Sequence, residues 1–353
     1  MSLPRLLLPI VAVALLPFTA PAEETTVQGE PFGYVKINIA QGTGTGKKTT
    51  LISIPLLEEA SITGKATGSI TALTDTTITL SGAEWIPGEL SAAATPHLIE
   101  ITSGAAQGRM FLLSNVQANT ADTVTIDATE VTRFGDLREL GIQVSHTFKI
   151  RPVDTIKSFF GTPLTTLIQG GTSAASADTL TIVENGASST YFYKTDASPP
   201  RWTRVVFGNP DASNTRIPPH VGVQYARLPA TPLEFIVTGK VPSGQRKVAV
   251  KSSGTTILAP FWPVSQTLAD LGIQNIQNWG KGSSASSADT LVLTAGGASS
   301  TYFHDGANWR RVVFGSPVSN TTAVPVGTSI LVNKKGNSAG FVDYQQAAPY
   351  NLQ

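Results

Sequence analysis

The residues best suited to ligand contact in this chain are aromatic and come as matched pairs, Tyr191 with Tyr302 and Trp202 with Trp309. An aromatic face offers a large apolar area while the Tyr and Trp edges can hydrogen-bond, so such rings stack well on sugars. The competing reading is cross-strand core. Core packing is preferred for the tryptophans, because a residue kept through an internal duplication often serves the fold that was duplicated.

Other chemistry finds weaker support. His97, His146, His220 and His304 are scattered, without the spacing of metal ligands, and read as surface or strand residues. Asp178 and Asp289 recur at matched positions and read as turn or strand-entry residues; no loop has the spacing of an EF-hand. Gly336-Asn-Ser-Ala-Gly340 fits the nucleophile-elbow pattern, but no histidine follows it in the chain, so a Gly-rich turn is preferred. Gln41 to Thr49 imitates a phosphate loop but lacks its first glycine and its Ser or Thr after Lys47; it reads as a flexible hairpin loop. The paired acids of a glycosidase need only meet in space. Glu58, Glu59, Glu84 and Glu89 lie close in the chain and read as solvated surface acids. Cysteine is absent, which removes thiol nucleophiles and thiolate metal sites. No catalytic residue, metal or cofactor is expected.

The aromatic pairing belongs to a longer repeat. Gly171 to Leu180 matches Gly282 to Leu291, and Gly186 to Phe192 matches Gly297 to Phe303, both at an offset of 111 residues. Arg204-Val-Val-Phe-Gly208 matches Arg311-Val-Val-Phe-Gly315 at an offset of 107. The difference falls in one loop, where length change is tolerated. Upstream, Thr49 to Pro55 echoes Thr255 to Pro260. Residues 23–55 plus 153–241 are therefore expected to form a first β-module and 242–353 its second copy. Residues 56–152 are expected to be a small β-module inserted into the first copy.

Each repeat carries hairpin signals. Thr301 to His304, the turn Asp305-Gly306, then Asn308 to Phe314 reads as strand, turn, strand. In the insert, Gly68 to Leu73 with Thr77 to Leu80, and Arg109 to Val116 with Thr123 to Ile126, read as two more hairpins. Short helices are expected at Thr155 to Phe160 (capped by Asp154), at Gln266 to Leu271 and at Asp136 to Leu140. The expected fold is all-β, with sandwich-like or barrel-like modules, an internal duplication and a few short helices.

The 353 residues are long enough for two or three domains. Arg5, an apolar stretch from Leu6 to Phe18 and Ala20-Pro21-Ala22 read as a secretory signal peptide over residues 1–22, and the run is too short to span a bilayer comfortably. Without Arg5 the chain holds 24 basic and 24 acidic residues, so it has no electrostatic footprint for nucleic acid. The basic pairs Lys47-Lys48, Arg310-Arg311 and Lys334-Lys335 read as solvated loop or strand-end residues.

The mature chain resembles a family of exported bacterial β-rich paralogues of unknown function. Phe32 to Ile37, Leu51 to Leu56, Ser103 to Arg109, Phe148 to Pro152 and the Tyr-Phe then Trp-x-x-Val hairpin carry the resemblance. It implies a secreted all-β protein and transfers no catalytic residue; the second copy of the hairpin departs from the family pattern. Exported location, at the cell surface, outside the cell or in the periplasm, is thus expected. The expected role is non-enzymatic: structural, adhesive or glycan-contacting, with polysaccharide or copies of itself as partner. The alternatives are a self-assembling envelope or filament subunit, and a secreted carbohydrate-active enzyme.

Overall fold

Alternation of apolar and polar residues sets the strands. In Phe32–Ile39 the buried residues are Val35, Ile37 and Ile39, and in its antiparallel partner Leu233–Lys240 they are Leu233, Phe235 and Val237. A computed structural model describes residues 31–350 except 185, 186 and 337; the expected leader over residues 1–22 lies outside them. The protein is all-β and internally duplicated. Its three α-helices among the described residues are short: Ala128–Phe134, Ile156–Phe160 and Pro163–Thr166.

Two five-stranded antiparallel sheets repeat one strand order. The first runs Arg201–Arg204, Ala187–Lys194, Thr179–Glu184, Val223–Arg227, Lys48–Ile52. The second runs Trp309–Arg311, Ala298–His304, Thr290–Ala295, Ile330–Lys335, Ser253–Leu258. Each sheet packs on a two-stranded ribbon, Phe32–Ile39 with Leu233–Lys240 in the first repeat and Gln245–Lys251 with Phe341–Ala347 in the second. Between the two sheets, Ser53 N donates to Gly327 O (2.8 Å) and Ser329 N to Leu51 O (3.2 Å). Their counterparts are Ala259 N to His220 O (3.4 Å) and Gly222 N to Ile257 O (3.1 Å). Equivalent residues thus exchange equivalent bonds, which is how a two-fold related contact looks. Gly222 and Ser329 meet at this seam, and a Cβ on Gly222 would run into Ile257 and Ser329.

A buried carboxylate anchors each repeat. Asp178 accepts from Tyr225 Oη (2.7 Å), Arg227 Nη1 (2.9 Å) and the backbone N–H groups of Gln169 (2.9 Å) and Leu228 (2.8 Å). Asp289 accepts from Lys334 Nζ (3.1 Å) and the N–H groups of Gly280 (2.8 Å) and Lys335 (2.7 Å). Each aspartate stands immediately before a strand, as the strand-entry reading requires, and is buried; Lys334 is buried too and is not a solvated strand end.

Between Leu56 and Val153 the chain builds a four-stranded sheet (Thr67–Ser69, Thr147–Pro152, His97–Ile101, Met110–Leu112) and a three-stranded one (Ala72–Leu73, Thr77–Thr79, Thr123–Thr125) around its own apolar cluster. It is fastened to the second ribbon by ion pairs, one of them fully buried. Glu100 accepts from Arg151 Nε (2.5 Å) and Arg246 Nη1 (2.6 Å), and Arg109 pairs with Asp343 at 2.6 Å.

Several local expectations need correction. Thr155, not Asp154, caps Ile156–Phe160. Gln266 to Leu271 is a two-residue strand and a turn, and Asp136 to Leu140 is a turn after the helix Ala128–Phe134, which Asp127 caps. Of the two hairpins expected in the insert, the first forms between Ala72–Leu73 and Thr77–Thr79, while Thr67–Ser69 pairs instead with Thr147–Pro152; the second is reduced to a bridge from Leu113 to Ile126, because Met110–Leu112 pairs with His97–Ile101. Gln41 to Thr49 joins strands of different sheets rather than closing a hairpin. Serine 338 is flanked by two strands, with no helix after it, so the elbow geometry is missing.

Removing one member of a buried ion pair leaves the other charge unpaired, at about 3–5 kcal/mol. Asp178→Asn and Asp289→Asn should each lose about that much stability in denaturant melts, and losses under 1 kcal/mol would refute an anchoring role.

Candidate functional site

The four aromatic candidates are all core residues. Trp202 and Trp309 are 1% exposed, Tyr191 7% and Tyr302 5%. Trp202 donates its Nε1–H to Gly161 O (2.8 Å) and packs near Phe160, while Trp309 donates to Gln274 Oε1 (3.2 Å) and meets Trp279 edge-on at 5.8 Å. Their faces are spent inside the protein, so none of the four presents a ring to a ligand. The second strand of the hairpin is also shorter than its pattern suggests, ending at Arg311 rather than Phe314.

What the repeats do display is the residue three beyond that strand end. Phe207 and Phe314 are fully exposed, at 105% and 106% of their reference area, and the preceding valines Val205, Val206, Val312 and Val313 are also exposed. Each phenylalanine occupies a built turn. Asn209 N donates to Val206 O and Ser316 N to Val313 O, both at 3.0 Å. That places Phe at the first corner and Gly at the second, where Gly208 has φ 82° and Gly315 φ 78°. A type II turn needs positive φ at that second corner, which glycine supplies without strain. Arg204 N to Pro210 O and Arg311 N to Pro317 O, both 3.1 Å, close the two loops. Arg204 and Arg311 are exposed, and neither forms an ion pair among the described residues.

A second feature lies in the first repeat, between the helix Ile156–Phe160 and the ribbon strand Leu233–Lys240. A cleft of about 160 Å³ is lined by Ile54, Leu56, Phe159, Phe235, Ile236 and Val237, with Glu58, Asp154 and Ser158 among its remaining walls. Burial, reinforced by the Glu58 charge, pushes the Asp154 carboxyl up to about 6; a hydrogen bond from Ser158 Oγ (2.9 Å) opposes this. Neither acid has a basic partner among the described residues. The other acids weighed from sequence do not join them: Glu59 pairs with Lys240 at 3.2 Å and Glu89 accepts from Thr63 N.

The histidines are more buried than their sequence context suggests. His97, His220 and His304 are buried, and burial lowers the pKa of each, His220 to about 3. His304 packs edge-on against Trp309 at 5.4 Å. Among the described residues there is no cluster of three His, Asp or Glu groups able to hold a metal ion, and no helix is long and apolar enough to cross a membrane. No protein-family model matches this chain, and no curated protein or solved structure matches it.

Asp154 supplies a test of the cleft's electrostatics. Its folded-state pKa lies above the usual 3.8, so between about pH 4 and 6 the unfolded chain ionises first and folding stability falls as pH rises. Asp154→Asn should therefore stabilise the protein at pH 7, by on the order of 1–2 kcal/mol, and leave it unchanged near pH 3.5. Equal melting of the two proteins across that range would mean that Asp154 is not perturbed.

Proposed function

We propose that this chain is an exported, non-enzymatic contact protein, structural or adhesive in role, that engages its partner through the two apolar turn tips. The observation that supports the reading is the pair of fully exposed phenylalanines on matched type II turns. Burying a phenylalanine side chain is worth about 1.5–3 kcal/mol, and each repeat leaves that energy unused in the folded monomer. Preorganised turns keep the ordering cost low when a partner covers the ring. Exposed large apolar groups grouped in this way mark interaction surfaces. Glycan contact would run through the tips or the polar trough beside the second one, which Asp305, Asn308 and Arg310 line.

A second reading, a carbohydrate-active enzyme, draws on Glu58 and Asp154. A raised carboxyl beside a second acid is what a glycosidase uses as general acid. Six of the cleft's ten wall residues are aliphatic or aromatic, four of them buried, and Glu58 and Asp154 are the only acids among the ten.

Beads coated with the protein test the first reading. Phe207→Ala with Phe314→Ala should reduce bead-to-bead and bead-to-polysaccharide adhesion at least tenfold with an unchanged melting temperature. Undiminished adhesion would reject the tips as the contact surface. Hydrolysis of aryl glycosides that disappears in Glu58→Gln would establish the enzymatic reading instead.

A further inference from the structure

The contact role of the turn tips leaves their partner open, and the same chain carries a surface that matches them. We infer that the partner is a second copy of this protein, whose acidic cleft beside Ile236 receives a Phe207 or Phe314 tip. This rests on the contact role proposed above and adds the occupant.

Size and charge agree. The cleft measures about 160 Å³, and apolar cavities of about 150 Å³ are known to hold a benzene ring. Its walls Phe159, Phe235 and Ile236 would pack against an inserted phenyl group. Each tip is preceded by an exposed arginine, Arg204 or Arg311, that has no acidic partner, and the cleft holds two carboxylates, Glu58 and Asp154, that have no basic one among the described residues. Charge-assisted pairing would neutralise both surfaces at once.

Strand addition at the edges of the two five-stranded sheets, another route to assembly, is obstructed. The outer edge of Arg201–Arg204 is bridged by Asp211 and that of Trp309–Arg311 by Val318, while Lys48–Ile52 and Ser253–Leu258 face each other's repeat across the seam. Covered edges do not template further strands.

Tip and cleft are different surfaces of one molecule. Their contact is head-to-tail, and such a contact makes a ring if it closes and a filament if it does not. The second repeat does not duplicate the receptor. In its corresponding space, between Asp270 to Ile276 and the strand Phe341–Ala347, the carboxylates are engaged, Asp343 with Arg109 and Asp270 with the Thr267 hydroxyl. Each chain therefore offers two tips and one cleft with two acids that lack a basic partner among the described residues.

A charge exchange tests this with the full chain, by light scattering and sedimentation over a concentration series. Arg204→Glu with Arg311→Glu, and separately Glu58→Lys with Asp154→Lys, should each remain monomeric where the parent protein assembles, with association at least tenfold weaker. Mixed together they should assemble again, because each then meets a complementary surface. If the cleft variant fails to fold, Ile236→Lys on the exposed rim should block assembly in its place. A parent protein that stays monomeric at all concentrations, or single variants that assemble like the parent, would overturn the inference, as would a mixture that stays monomeric. So would tip-dependent sedimentation with anionic phosphatidylserine vesicles by a protein that remains monomeric, which would assign the tips to a lipid surface. Adhesion lost in the phenylalanine double variant while charge exchange has no effect would leave the contact role standing and remove the second copy as partner.

Discussion

The buried aspartate of each repeat is the constraint on which the rest of the architecture depends. Asp178 and Asp289 collect backbone donors from the approach to the sheet and one basic side chain from the neighbouring strand of that sheet. Desolvating a carboxylate is costly unless its lone pairs are filled, so the geometry around each is narrowly determined. The first repeat fills the basic position with Arg227 and adds the Tyr225 hydroxyl; the second uses Lys334 alone. The ammonium presents a point charge where the guanidinium presents a fork, yet the carboxylate stays in place. That conserved anchor holds the aromatic hairpin in register, and the hairpin in turn carries the turn tip.

The two repeats behave as an internal pair around a two-fold seam. The exchanged backbone bonds leave little room at its centre, where Gly222 stands opposite Ser329. Covering of the ribbons breaks this symmetry. The second ribbon is covered through Arg246, Arg109 and Arg133, with the Arg133 guanidinium also over the Phe341 ring. The first ribbon keeps Phe32, Tyr34 and Ile236 exposed, and the cleft with Glu58 and Asp154 opens beside it. A unit packed against only one of the two ribbons thus gives equivalent surfaces different surroundings.

Much of the scaffold was legible because its constraints fall on single residue types. Glycines that need positive φ, the anchoring aspartates and the buried Trp and Tyr pairs all survive duplication as identical letters, so the repeat could be read directly. The short helices were misplaced because their signals are local and weak. Asp154 and Thr155 are both acceptable caps, and only the contact with Ser158 Nα distinguishes them. Both segments begin with a two-residue strand, Asp154–Thr155 on Arg216–Ile217 and Gln266–Thr267 on Ala323–Val324, but only the first continues into a helix; Leu268 to Leu271 is a turn. The exposed tips were hidden for a different reason. Val-Val-Phe after a strand looks like more strand, and the one available signal was the glycine that follows it in both copies.

Sequence alone determined that the chain is all-β and duplicated, because residue alternation, glycine placement and repeated letters are properties of the chain itself. It also bounded the chemistry, since a chain without cysteine and with scattered histidines offers few reactive groups. Tertiary structure decided which aromatic residues are spent in the core and which are offered to solvent. It also brought Glu58 to Asp154 across almost a hundred residues and set an apolar wall beside them. Burial and proximity are sums over neighbours distant in the chain, and no local pattern of letters encodes those sums.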